Sequence, residues 1–157
     1  MKKRVMFISS MGGHLNEMMM LNKLFEKYDY HIVTEKTKAT TYLKKDYNKK
    51  VSYLVYGTKK LLLIYPFILL INSFISLFLF IKYRPKYIIT TGTHTAGPMC
   101  CIGKIFGAKI IYIETFASIT KGSVAGKLIY KFADLFVVQW ESMLNVYPKA
   151  VYGGWIF

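Results

Sequence analysis

From Leu61 to Ile81 the chain runs 21 residues without a charged side chain, about the length an α-helix needs to cross a bilayer. What flanks this block decides what it can be. Short apolar runs precede it at Val5-Met6-Phe7-Ile8, His31-Ile32-Val33-Thr34 and Val51-Ser52-Tyr53-Leu54-Val55. Others follow at Tyr87-Ile88-Ile89-Thr90, Lys109-Ile110-Ile111-Tyr112-Ile113 and Leu135-Phe136-Val137-Val138. Runs this short, rich in β-branched and aromatic residues and separated by helix-length segments, are the pattern of βαβ units on a parallel sheet. A spanning helix would strand the first three runs and the last three on opposite sides of a membrane. The reading that keeps the sheet whole has one side of the helix packed on the sheet and another in the lipid interface. A well-buried core helix with Pro66 near its start is the alternative.

Both flanks of the block are basic, Lys59-Lys60 before it and Lys82, Arg84 and Lys86 after it. That gives none of the asymmetry that orients a span and predicts that both ends stay on the cytoplasmic side, near anionic headgroups. At 100° per residue, Tyr65, Asn72, Ser76 and Tyr83 fall within about 20° of one line, a thin polar stripe on a greasy cylinder. Leu61, Leu62, Leu63, Phe67, Phe74, Phe78 and Phe80 are the candidate lipid-facing side chains.

Composition narrows the partner. Twenty-two Lys and Arg against eight Asp and Glu give a net charge of +14, which favours an anionic membrane surface, nucleic acid or phosphorylated ligands. The lysines from Lys36 to Lys50 lack the aromatic interleaving of a nucleic-acid reader, so that partner is set aside. Cys100 and Cys101 are adjacent, fit no metal or redox spacing and read as small buried hydrophobes. Without a disulfide framework or a cleavable signal peptide, the cytosolic side is the expected compartment. Residues 1–157 read as one doubly wound domain.

In such a sheet, ligands bind beyond the carboxyl ends of the strands, where strand order reverses. With strand order 3-2-1-4-5, three exit loops converge: Gly12-Gly13-His14, Gly92-Thr93-His94-Thr95-Ala96-Gly97 and Glu114-Thr115-Phe116-Ala117. Gly12-Gly13 is either a tight strand-to-helix turn or an approach for a ligand. His14 carries the side chain most often used as a general base. The small residues around His94 would let backbone N–H groups reach an anion. Glu114, an acid in a very basic chain, either pairs with a lysine or fixes a hydroxyl or a histidine. His31 lies within a strand and carries no assigned role.

These three loops, with Pro98 after Gly97 and Tyr112-Ile113 before Glu114, resemble the membrane-associated accessory subunits of two-part GT-B glycosyltransferases. Such subunits include that of the eukaryotic dolichol-linked UDP-GlcNAc transferase and its relatives in bacterial capsule and exopolysaccharide clusters. More distantly, the chain resembles the N-terminal half of the peptidoglycan lipid II N-acetylglucosaminyltransferase. The resemblance implies a Rossmann-like half-enzyme that holds a sugar on a polyprenyl diphosphate at the cytoplasmic face of the membrane. A separate donor-binding subunit would hold the UDP-sugar.

It further implies that the chain stops near the interdomain crossover, so that Trp155, Ile156 and Phe157, at the end of a tail from about residue 152, dock the partner. The chain departs from the eukaryotic pattern in having no N-terminal membrane helix, which leaves the apolar block as its anchor. On this reading His14 is the base, Glu114 orients it or the acceptor, and Gly12, Gly13, Gly92, Thr93, His94, Thr95, Gly97, Thr115 and Phe116 line the acceptor pocket. No cofactor is implied, and the absence of an Asp-x-Asp pair argues against a metal-chelating role. A non-catalytic membrane scaffold that activates its partner is the rival reading.

Overall fold

The computed structural model describes residues 2–57 and 64–156. Seven strands, β1 (Arg4–Ser9), β2 (Asp29–Glu35), β3 (Val51–Leu54), β4 (Tyr87–Gly92), β5 (Lys109–Ile113), β6 (Leu135–Val138) and β7 (Val151–Tyr152), form one sheet in the order β3-β2-β1-β4-β5-β6-β7. Every pairing is parallel. Six strands are those expected from the sequence. The seventh is only two residues long, too short to show a period.

Side chains alternate across the sheet as a pleat requires. Met6, Ile8, Val33, Ile88, Ile110 and Val138 enter one core, covered by α4 (Tyr65–Tyr83), α5 (Gly97–Ile105) and α6 (Val124–Ile129). Val5, Phe7, Ile32, Val51, Ile89 and Ile113 enter the other, against α1 (Gly13–Met19), α2 (Asn22–Lys27) and α3 (Leu43–Tyr47). Burial on both faces is why the strands read as unbroken apolar runs. The helix expected from Leu15 to Tyr28 is divided into α1 and α2. The chain turns at Met20-Leu21, which leaves Met20 in solvent and buries both Leu21 and Phe25.

The apolar block is the crossover between β3 and β4, and its described part, α4, is packed with its polar stripe inward. Asn72 is buried, its Oδ1 accepting from the Val55 N–H at 2.8 Å and its Nδ2 donating to the Val55 carbonyl at 2.9 Å. It thus occupies a strand neighbour's hydrogen-bonding position just past β3. Each such bond is worth roughly 1 kcal/mol net. Ser76 is buried beside it, Tyr65 stacks on His94 and Tyr83 stacks on His31.

The greasy side faces out: Phe67, Phe74 and Phe78 are 67%, 66% and 63% exposed, with Leu70, Ile71 and Ile81 beside them. Phe80 is a correction to the lipid-facing set, since it is 7% exposed and packed into the core. Leu61, Leu62 and Leu63 lie outside the described residues. The helix is long and apolar enough to cross a membrane, and its inward side is packed through Asn72, Ser76, Leu79 and Phe80. It ends at Arg84, in the left-handed region, followed by Pro85, a common stop signal.

His31 is buried in β2, its Nε2 2.8 Å from Ser52 Oγ and its ring 3.7 Å from that of Tyr83. Burial, reinforced by the Lys82 ammonium, holds the ring well below its usual value, at about 4. The folded state therefore refuses a proton that the unfolded chain accepts near pH 6.5, so stability is full above that pH and falls as pH drops toward 4. Between pH 7 and pH 5 this one group should remove roughly 2 kcal/mol. Urea unfolding of His31→Phe should show a flatter dependence on pH over that interval than the parent chain.

Candidate functional site

The order β2-β1-β4-β5 brings the predicted loops together at the carboxyl edge of the sheet. Gly12, with φ +87°, turns the chain from β1 into α1. His14 sits in the first turn of that helix, and its Nδ1 donates to the Thr91 carbonyl at 2.7 Å, while Thr91 Oγ1 donates to the His14 carbonyl at 2.7 Å. The reciprocal pair locks the ring. A carbonyl can only accept, so the proton is on Nδ1 and the neutral ring keeps its lone pair on Nε2. Two further bonds stitch the loops: the Ser10 N–H donates to the Gly92 carbonyl at 3.0 Å, and Thr93 Oγ1 to Ser10 Oγ at 3.1 Å. Gly92 has φ +102°, and a Cβ there would lie 2.9 Å from the Tyr112 hydroxyl, so only glycine lets β4 finish this close to the His14 ring.

Glu114 is a correction. It is 1% exposed and its carboxylate accepts from five donors: the Thr115 and Ser123 N–H groups, the Ser118 and Ser123 hydroxyls, and the Tyr147 hydroxyl at 2.9 Å. Neither His14 nor a lysine is among these partners. Gly126 leaves the room the carboxylate needs, since a Cβ there would stand 2.3 Å from Oε2. Burial, and next the Glu114 charge, push the Tyr112 and Tyr147 phenols up and keep both protonated. The residue organises the turn between β5 and α6 by fixing hydroxyls. Thr95, expected to contact substrate, is also buried, donating to Glu35 Oε1 at 2.7 Å.

Two acids that the sequence reading passed over do the bridging. Glu35, at the end of β2, accepts from the Met11 N–H at 3.2 Å through Oε2 and from Thr95 through Oε1, tying the first loop to the fourth. Glu17, one turn after His14, accepts from Thr115 Oγ1 at 2.7 Å and the Phe116 N–H at 3.1 Å, tying α1 to the loop after β5. A carboxylate at a strand end, and another one turn beyond a candidate base, in a chain with eight acids, was the available signal.

His94 stacks under Tyr65 at 5.4 Å with the rings nearly parallel. Beside it a cleft of about 940 Å³ opens between α4, α5 and α6, bordered by Ser10, Glu35, Thr93, His94 and Gly97. Cys100 is buried as expected, but Cys101 is exposed and lines the cleft. Among the described residues no group of three or more His, Cys, Asp or Glu side chains is placed to hold a metal. Phe116 stacks on Trp155 at 5.4 Å and meets Trp140 in a tilted contact at 4.8 Å, and Trp155 is 77% exposed. Ile156 departs from the expected docking tail: half-buried, it packs on the chain's own core, and its N–H donates to Gln139 Oε1 at 3.3 Å. Phe157 lies outside the described residues.

A family model described as "Oligosaccharide biosynthesis protein Alg14 like" matches residues 5–156. The chain belongs to the Alg14-like family. Among its relatives, the UDP-N-acetylglucosamine transferase subunit ALG14 of Candida albicans is 32% identical over 91% of this chain and 73% of its own length. The human subunit of the same name is 29% identical over 46% of this chain, a match spanning 37% of the human protein. In fold the chain is similar to MurG of Acinetobacter baumannii, with TM-score 0.71 and 17% identity over 89% of this chain and 42% of MurG. It is also similar to the UDP-GlcNAc 2-epimerase of Methanocaldococcus jannaschii, with TM-score 0.69 and 13% identity over 90% of this chain and 41% of the epimerase. The chain thus spans about two fifths of each structural neighbour, and the fold is the expected Rossmann-like α/β domain of GT-B type.

The five-donor shell around Glu114 predicts a stability role. Glu114→Ala leaves several buried donors unpaired and should lower unfolding free energy by roughly 3 kcal/mol, read by urea denaturation at pH 7.

Proposed function

We propose that this Alg14-like chain is the acceptor-side, membrane-bound subunit of a two-part transferase that moves N-acetylglucosamine from UDP onto a polyprenyl-diphosphate-linked sugar. The observation that carries the reading is the His14 ring, held by Thr91 with Nε2 left as a base at the carboxyl edge of the sheet. In the reaction the acceptor hydroxyl oxygen bonds to the anomeric carbon from the face opposite the nucleotide. The bond from that carbon to the UDP oxygen breaks, and the hydroxyl proton passes to His14 Nε2. UDP departs as the diphosphate, bound mainly by the partner subunit.

The donor and the subunit role are those of the UDP-N-acetylglucosamine transferase subunits to which the chain is similar. Capsular or exopolysaccharide assembly rests only on the resemblance of the three loops to bacterial proteins. Gly12, Gly13, Gly92, Thr93, His94, Gly97, Thr115 and Phe116 border the acceptor. Trp155, exposed on the Phe116 stack, offers the partner an aromatic anchor. Residues 1–157 act as one acceptor-side domain at the cytoplasmic face.

Membrane binding is supported by the outward face of α4. Burying each of Phe67, Phe74 and Phe78 in lipid contributes on the order of 1–2 kcal/mol, and the +14 charge adds attraction to anionic headgroups. His14→Ala in the reconstituted pair should lower turnover by roughly 10² or more with the subunits still copurifying. Near-normal turnover would favour the scaffold reading instead. Replacing Phe74 and Phe78 together with Glu should abolish cosedimentation with anionic liposomes and leave the circular dichroism spectrum unchanged, since neither side chain is in the core.

A further inference from the structure

The cleft beside His94 has an unusual lining for so basic a chain. Its wall is apolar, with Leu69 from α4, Cys101 from α5, and Val124, Leu128 and Ile129 from α6. Among the described residues that line it, Glu35 is the acidic side chain, already engaged by Met11 and Thr95. No Lys or Arg is among the described residues that line it. A nucleotide or free diphosphate pocket draws cations, whereas this described wall suits an uncharged, apolar part of a ligand. At about 940 Å³ it is as large as pockets that take whole small molecules.

The cleft also joins the outer greasy surface. Leu69 lines it while Leu70, the next residue on α4, is 56% exposed, and on the opposite wall Val124 and Leu128 are 67% and 59% exposed. A chain leaving the bilayer along α4 would enter it without crossing water. Its inner end, at Ser10, Thr93 and His94, adjoins the loops that hold His14.

We propose that the cleft between α4 and α6 holds the first isoprene units of the acceptor's prenyl chain, so that this subunit measures the lipid as well as presenting its sugar. The inference rests on the acceptor-side reading above and extends it to a lipid-tail site.

Cys101 makes the site testable, because the chain has two cysteines and Cys100 is fully buried. The full chain in detergent micelles is labelled with N-ethylmaleimide at mildly alkaline pH, since burial pushes the Cys101 thiol up. Farnesyl phosphate or undecaprenyl phosphate should slow labelling about tenfold, the discrimination expected of a hydrophobic pocket, whereas phosphatidylglycerol at equal mole fraction and UDP-GlcNAc should not. Unchanged labelling with both prenyl phosphates, equal protection by phosphatidylglycerol, or protection by the partner subunit alone would each overturn the site.

In the reconstituted pair, Cys101→Trp or Leu128→Trp should lower the ratio of kcat/KM for long-chain over short-chain acceptors about tenfold. Sugar transfer with that ratio unmoved in both variants removes the cleft and leaves the transferase reading intact. Prenyl protection of Cys101 with no transfer to any acceptor retains the cleft and removes the transferase reading.

Discussion

The site depends on β1 and β4 lying side by side, a pairing that a long crossover makes possible. Val5 to Ile8 run in register with Tyr87 to Thr90, so two loops nearly 80 residues apart in sequence leave the sheet at the same edge. The exchange between His14 and Thr91 then does two jobs. It satisfies a carbonyl and a hydroxyl where the ladder stops, and it fixes which ring nitrogen carries the proton. The tautomer of the His14 ring is here a by-product of ending two strands correctly.

The crossover shows how one sequence meets two solvents. A helix in an ordinary α/β protein turns its apolar side to the sheet and its polar side to water. In α4 the polar stripe goes inward, where Asn72 completes the hydrogen bonding of the residue after β3, and phenylalanines point outward. Water would penalise that arrangement, whereas a lipid surface rewards it. Both ends of α4 feed one parallel sheet, from β3 at its edge to β4 beyond β2 and β1.

Much of this was legible from periodicity. The strands were visible because burial on both faces makes them continuous apolar runs, and the stripe of Tyr65, Asn72, Ser76 and Tyr83 was visible because it repeats at helical spacing. Which way the stripe faced was not, since a polar stripe in an apolar helix fits water on one side or hydrogen-bonding partners within. Phe80 was misassigned for the same reason, being apolar on both readings. The loops suggest Glu114 as the residue that orients His14 or the acceptor and Thr95 as part of the acceptor pocket. Their true partners, Ser118, Ser123 and Tyr147 for one and Glu35 for the other, come from segments whose approach only the folded chain reveals. Cys101 differs from Cys100 by one step of helix rotation, enough to move a thiol from the core into the cleft.

The distribution of acids explains the charge of the surface. Three of the eight, Glu17, Glu35 and Glu114, are used at the carboxyl edge of the sheet to hold loops together through hydroxyl and backbone donors, without a lysine between them. A fourth, Asp134, is committed to Lys104, Lys109 and the Ile110 N–H. Half of the negative charge is thereby committed to internal bonding, and among the described residues Lys104 and Lys109 are the lysines in ion pairs. The same economy that builds a rigid edge for His14 leaves a cationic exterior, and a cationic exterior beside an outward-facing apolar helix is what an anionic bilayer binds. Loop architecture and the cationic exterior are therefore consequences of one choice, the placing of scarce carboxylates where neutral donors converge.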